Sequence, residues 1–166
     1  MYSRYSANSM LKPWNGLRCW PLMAPSTSRL DRNEPALNTS LVGDPRDTTT
    51  PAAMLNDLRL AVLGKVLSAA SRDRLAGWLA ASQTGKARLR AGLPGGWRVG
   101  DKTGTGAHGT ANDIAVVWTE TQPILITSYL TGAERASDAA RDAAHAEVGR
   151  IIVEAFRPAT AKAAHG

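Results

Sequence analysis

The chain has 166 residues, 43% of them hydrophobic, and a formal net charge of +6. That length and apolar content fit one packed domain and exclude wholesale disorder. No apolar run nears the roughly 18 residues of a membrane-crossing helix, and the single cysteine, Cys19, excludes an intrachain disulfide.

A basic balance raises the question of nucleic acid. The Lys and Arg residues are scattered, however, and only one Phe and three Tyr are available for base stacking. No helix-turn-helix, zinc-finger or RNP-like pattern occurs, so the charge reads as a solvated basic surface, with no nucleic-acid and no membrane partner. Cys19 has no Cys or His cluster near it, and His108, His145 and His165 lie far apart. No metal and no cofactor are expected, and each histidine reads as solvent-facing or as core filler. No continuous apolar segment follows Met1-Tyr2-Ser3-Arg4, so no signal peptide is read there and the chain as written is expected in the cytoplasm.

In chain order, residues 1–28 are rich in Trp, Pro and Ser and show neither a 3.6 nor a 2.0 period. They form an atypical N-terminal segment, disordered or read from a shifted frame. Residues 29–47 are polar, Pro-punctuated and long for a connection, which suits an Ω-loop. Thr48-Thr49-Thr50-Pro51 then signals a helix start, and the helix runs through Ala52 to about Val62. A second helix begins near Leu67 or Ser68, where Leu75, Trp78 and Leu79 have the i, i+3, i+4 spacing of a buried face. Lys86–Ala91 reads as a short helix.

Three strands follow, at Trp97–Lys102, Asn112–Thr119 and Pro123–Thr131. Their short links favour antiparallel neighbours. Both faces of the third are apolar, so helices should cover both sides of the sheet. A last helix spans about Ser137–Phe156, with Ala140, Ala144, Val148, Ile151, Ile152 and Ala155 as its packing stripe. Residues 157–166 form a tail that frays.

Chemistry concentrates in two blocks. Asp101-Lys102-Thr103-Gly104-Thr105-Gly106 ends the first strand with an ammonium, hydroxyls and glycines, a set suited to an anion lying against backbone. Upstream stands Arg29-Leu30-Asp31-Arg32-Asn33-Glu34-Pro35-Ala36-Leu37-Asn38. With Gly43-Asp44-Pro45-Arg46-Asp47 and Asn112-Asp113 in the same order, these blocks resemble the C-terminal part of the class A serine β-lactamases, over about residues 28–156. Lys-Thr-Gly is itself a motif of serine β-lactamases and penicillin-binding proteins.

The resemblance implies an α/β fold of the α+β type, an antiparallel sheet packed by helices, here N-terminally truncated. It implies hydrolysis of β-lactam antibiotics such as penicillins and cephalosporins through a serine acyl-enzyme. The family works in the periplasm or outside the cell, and no obligate protein partner is implied. Glu34 resembles the general base that activates the deacylating water, with Asn38 positioning that water. Glu34-Pro35 resembles a bond that is cis in the family. Arg32 and Asp47 resemble the pair that closes the Ω-loop. Lys102, Thr103 and Thr105 resemble the substrate edge, and the Thr105 backbone N–H resembles an oxyanion donor. Arg88 resembles an auxiliary arginine behind the lysine, and Arg90 suits a structural ion pair.

The family nucleophile stands in a Ser-x-x-Lys motif far upstream of the loop glutamate. Only 33 residues precede Glu34. Ser9-Met10-Leu11-Lys12 has the spacing but neither the register nor the flanks, and reads as accidental. Tyr5-Ser6-Ala7-Asn8 resembles the family block that supplies a relay serine and a substrate asparagine, so Ser6 and Asn8 read as vestiges. The chain is therefore expected to be inactive alone, or to be a non-catalytic β-lactam or carboxylate binder, with an open sheet edge that promotes aggregation.

Overall fold

The computed structural model describes residues 27–156. Readings that fall on Ser6, Asn8, Ser9, Lys12 and Cys19 lie outside these residues.

After the loop, helix α1 spans Pro51–Val62, started by Thr50, whose hydroxyl accepts the Ala53 N–H at 3.2 Å. Helix α2 spans Ala69–Ala80, capped in the same way by Ser68 on the Ser71 N–H. A 3₁₀ turn at Leu89–Gly92 leads into strands β1 (Arg98–Gly106), β2 (Thr110–Trp118) and β3 (Pro123–Leu130). Helix α3 (Asp138–Ala155) closes the described chain, capped by Ser137. Each cap satisfies a backbone donor that the first helical turn leaves free.

The strands form one antiparallel sheet in the order β1-β2-β3. The β1–β2 connection is tight, with His108 at φ 53° and Gly109 at φ 64°. A side chain at Gly109 would also run into the backbone of Ala133 and Glu134, so the hairpin tip docks on the β3–α3 loop only with glycine there.

Alternation along β2 splits the core in two. Ala115 and Val117 join Val99, Ile124, Ile126, Leu89 and Leu93 under α3. Val116 points the other way, to Leu58, Val62 and Leu79 of α1 and α2. Helices therefore cover both faces of the sheet, as the apolar third strand implied. Among the described residues no strand pairs with the outer edge of β3.

Four local readings need correction. β1 runs four residues past Lys102, because Thr103–Gly106 stay in register with Thr110–Asp113; the Lys-Thr-Gly motif lies inside a strand, not at its lip. The short helix expected over 86–91 is a 3₁₀ turn at Leu89–Gly92. Trp78 is 68% exposed, since α2 meets its neighbours along a narrow strip of Leu75 and Leu79. The inner face of α3 is centred on His145, Ala146 and Gly149, while Ile151 is exposed. Small residues are needed there, because a Cβ on Gly149 would strike the Leu89 carbonyl and one on Gly92 the Ala146 carbonyl.

Candidate active site

The Ω-loop is closed at its base by charge and backbone together. The Arg29 N–H donates to the Thr48 carbonyl at 2.8 Å. Arg32 Nε donates to Asp47 Oδ2 at 2.5 Å, and the other Asp47 oxygen accepts the backbone N–H groups of Asp31 and Arg32. Burial raises the Asp47 pKa, but Arg32 and those two N–H groups outweigh it and hold the carboxyl below its ordinary value. Arg32 also reaches Thr39 Oγ1 at 2.8 Å, so one guanidinium braces both limbs of the loop.

Within this frame the Glu34–Pro35 peptide is cis. Asn38 follows on a 3₁₀ turn, and its amide donates to Glu34 Oε2 at 2.5 Å. The Asn38 carbonyl accepts the Ala107 N–H at 2.9 Å. Ala107 directly follows Gly106, so this bond ties the carboxylate–carboxamide pair to the end of the Lys-Thr-Gly strand.

The strand presents Lys102 and Thr105 to solvent and Thr103 half-buried. Lys102 Nζ donates to the Thr103 carbonyl at 2.5 Å, and Thr103 Oγ1 lies 2.6 Å from Thr84 Oγ1. Between the Ω-loop and the sheet lies a cavity of about 540 Å³, lined by Lys102, Thr103 and Gly104 on one side and Leu37, Ser40 and Leu41 on the other. Its size suits a small organic ligand.

Arg88 stands behind the strand. Nη2 donates to Thr105 Oγ1 at 2.9 Å, Nη1 to the Gly104 and Asn112 carbonyls, and Nε to Asp142 Oδ1 at 2.8 Å. Arg90 pairs with Asp101, which is fully buried and also accepts from Ser82 Oγ at 3.1 Å. Asp113, also fully buried, accepts the Leu89 N–H through Oδ2 at 3.2 Å, while its Oδ1 has no partner. Burial, then the nearby charge of Asp101, pushes the Asp113 carboxyl up to about 7. No group of three or more acidic, Cys or His side chains among the described residues could hold a metal.

The structure thus brings Glu34, Asn38, Lys102, Thr103, Thr105 and Arg88 to one end of the sheet, with Arg32, Asp47 and Pro35 shaping the loop. Sequence reasoning missed Thr84, Asp142 and the buried Asp101/Asp113 pair. The alternation of β1 and β2, with Asp101 and Asp113 at the same parity as core residues, was the signal that could have found that pair.

Gly106 is where loop and strand meet. A Cβ there would stand 2.4 Å from Ser40 Oγ and 2.9 Å from the Asn38 carbonyl. Gly106→Val should therefore push the loop off the hairpin and cost about 1–3 kcal/mol, as overpacking does. Faster hydrogen exchange at the Ala107 amide, with new protease cleavage between residues 36 and 44, would report it. An unchanged Ala107 amide would show that the contact yields without moving the loop.

A sequence model of the β-lactamase enzyme family matches residues 16–156. The chain is 49% identical to β-lactamase CTX-M-97 of Escherichia coli over 131 residues, which are 78% of this chain and 45% of that protein. It is 52% identical to β-lactamase AST-1 of Nocardia asteroides over 133 residues, 79% of this chain and 42% of that protein. Among solved structures, an ancestral class A β-lactamase (GNCA) superposes with a TM-score of 0.79 at 58% identity, over 82% of this chain and 52% of that one. The chain spans a little under half the length of the curated relatives it matches.

Proposed function

We propose, from the premise that this chain belongs to the class A serine β-lactamases, that it carries the deacylation half of a β-lactam-hydrolysing site. In this reading Lys102, Thr103 and Thr105 bind the carboxylate of a penicillin or cephalosporin, and Arg88 stiffens that edge from behind. Glu34 takes a proton from a water that Asn38 holds, and the water attacks the acyl ester. The Thr105 N–H stabilises the developing oxyanion. The observation that carries the reading is the Asn38 carbonyl on the Ala107 N–H at 2.9 Å. It ties the turn that carries Glu34 and Asn38 to the end of the Lys102–Gly106 strand, which supports reading the two as one site.

Acylation needs a serine activated by a neighbouring base. The described residues hold no Ser-x-x-Lys, and Ser9-x-x-Lys12 lies outside them. The proposal is that this chain alone binds β-lactams without turning them over. The family's site of action in the periplasm or outside the cell is proposed for the complete activity. No described helix is long and apolar enough to cross a membrane.

Calorimetry with benzylpenicillin, beside a chromogenic cephalosporin assay, tests both halves of the reading. Saturable binding is expected, weakened roughly 10- to 100-fold in Lys102→Ala, the loss of one charge-assisted hydrogen bond, with no steady turnover. Binding indifferent to Lys102 would sink the carboxylate edge. Turnover abolished by Ser9→Ala would sink the claim that the chain cannot acylate.

A further inference from the structure

Between α3 and the sheet, behind the ligand edge, lies a polar side chain that the proposed chemistry leaves unused. His145 is 2% exposed. Its Nε2 stands 3.0 Å from the Ala111 carbonyl oxygen and its Nδ1 2.7 Å from Ser128 Oγ. A carbonyl can only accept, so Nε2 carries the proton. In the neutral ring Nδ1 then offers a lone pair to the Ser128 hydroxyl, which selects a single tautomer. Burial is the largest influence on its pKa and holds it below the ordinary histidine value; Arg88 adds to this, while the Ala111 carbonyl and Asp142 oppose it.

The position of that ring matters. Ala111 pairs with Thr105 on one side and Leu130 on the other, so His145 grips the middle strand at the rung that carries Thr105. Asp142 lies three residues earlier, on the same side of the helix, and holds Arg88. Arg88 in turn binds Gly104, Asn112 and Thr105. Asp142, through Arg88, thus fastens α3 to the Lys102–Gly106 strand, and His145, one turn on, fastens it to β2 and β3.

We propose that His145 is a positioning residue which, in its neutral form only, locks α3 onto β2 and β3 at the rung behind Thr105, and whose protonation loosens the carboxylate-binding edge. The consequence for ligands rests on the function proposed above; the lock itself does not. The charged groups facing the ring are Arg88 from the loop before the 3₁₀ turn and Asp142 on its own helix. Strand alternation places Asp113 of β2 one step along the same sheet face, and Asp101 of β1, paired with Arg90, two steps along. β3 contributes only the Ser128 hydroxyl. A proton on Nδ1 reverses that hydroxyl from donor to acceptor and sets a second cation beside Arg88, where both compete for Asp142. The folded state binds fewer protons at this site than the unfolded chain. Its contribution to folding stability is therefore complete above about pH 6.5, and the lock itself is lost as pH falls through the depressed folded value.

Asp113 titrates with the opposite sign, so the test uses the full chain in an Asp113→Asn background. Nitrogen NMR of labelled histidine reads tautomer and midpoint at His145, and amide hydrogen exchange, corrected for its intrinsic pH dependence, reads the lock. The Nε2–H tautomer is expected at pH 8, with a midpoint below 6.5. Exchange over residues 103–112 should accelerate about tenfold or more across that midpoint. His145→Gln, which keeps a donor for the Ala111 carbonyl and cannot titrate, should abolish the step. The opposite tautomer, a midpoint at or above 6.5, or the same exchange step in His145→Gln would each overturn the proposal. Benzylpenicillin affinity should fall across the same midpoint. An exchange step without binding at any pH would uphold the lock and overturn the ligand reading instead.

Discussion

Arg90→Met is expected to remove about 3–5 kcal/mol of folding stability at pH 7.5. Asp101 is fully buried. Its Oδ1 takes both contacts from Arg90, and its Oδ2 has only the neutral Ser82 hydroxyl. Without the guanidinium the carboxylate must stay charged with one neutral donor, or take up a proton at a cost near neutral pH. The neighbouring Asp113 makes the first outcome costlier, since the two carboxylates already repel. A domain stabilised by only about 5–15 kcal/mol feels such a loss as a large fraction of the whole. Urea melts of the parent and the variant measure it. Adding Asp101→Asn to Arg90→Met should recover much of the loss, because the buried charge is then gone. A single variant within 1 kcal/mol of the parent would mean that water or a rearranged loop already serves Asp101.

Asp113→Asn should act in the opposite direction at alkaline pH. The buried carboxyl is pushed up to about 7 in the folded chain, against about 3.9 for an unperturbed aspartate. Between those values the folded state holds a proton that the unfolded chain has released. This group's favourable contribution is complete below about pH 4 and is lost as pH rises through about 7. At 1.36 kcal/mol per pK unit the loss by pH 8 has an upper limit of about 4 kcal/mol. The asparagine, isosteric with the neutral acid, keeps an acceptor for the Leu89 N–H and never ionises. The variant is expected to be more stable than the parent by about 2–3 kcal/mol at pH 8, with the gap narrowing below pH 7 and closing only near pH 4. Chemical denaturation at four pH values between 4 and 8 gives the curve. A variant less stable at pH 8 would show that the ionised Asp113 is wanted where it stands.

Both effects arise in side chains that the sequence presents poorly. Glu34, Pro35, Asn38 and Lys102–Gly106 were legible because each set is a contiguous block whose order matches a known family. Arg32 and Asp47 were legible through the same resemblance, as the pair that closes the loop. The partners behind the strand come from elsewhere. Thr84 lies 19 residues from Thr103 in sequence and Arg88 lies 54 residues from Asp142. No period or spacing joins such residues. Helix α3 illustrates the same limit, since counting bulky apolar residues favours Ile151, while the close crossing at Leu89–Gly92 selects Ala146 and Gly149. The extent of β1 escaped because Thr and Gly residues say little about strand, and only pairing with β2 extends it to Gly106.

The Ω-loop, finally, is anchored unevenly. Its first limb is held at Asp31, Arg32, Asn38 and Thr39, whereas Val42 at the apex is 90% exposed and Gly43 would meet nothing even with a side chain. Loop-closure entropy grows only slowly with length, so the stretch around Leu41–Gly43 can lengthen or shorten at little thermodynamic cost. Descendants of this chain have room there to accept insertions, and so to reshape the mouth of the cavity, while Glu34 stays where it is.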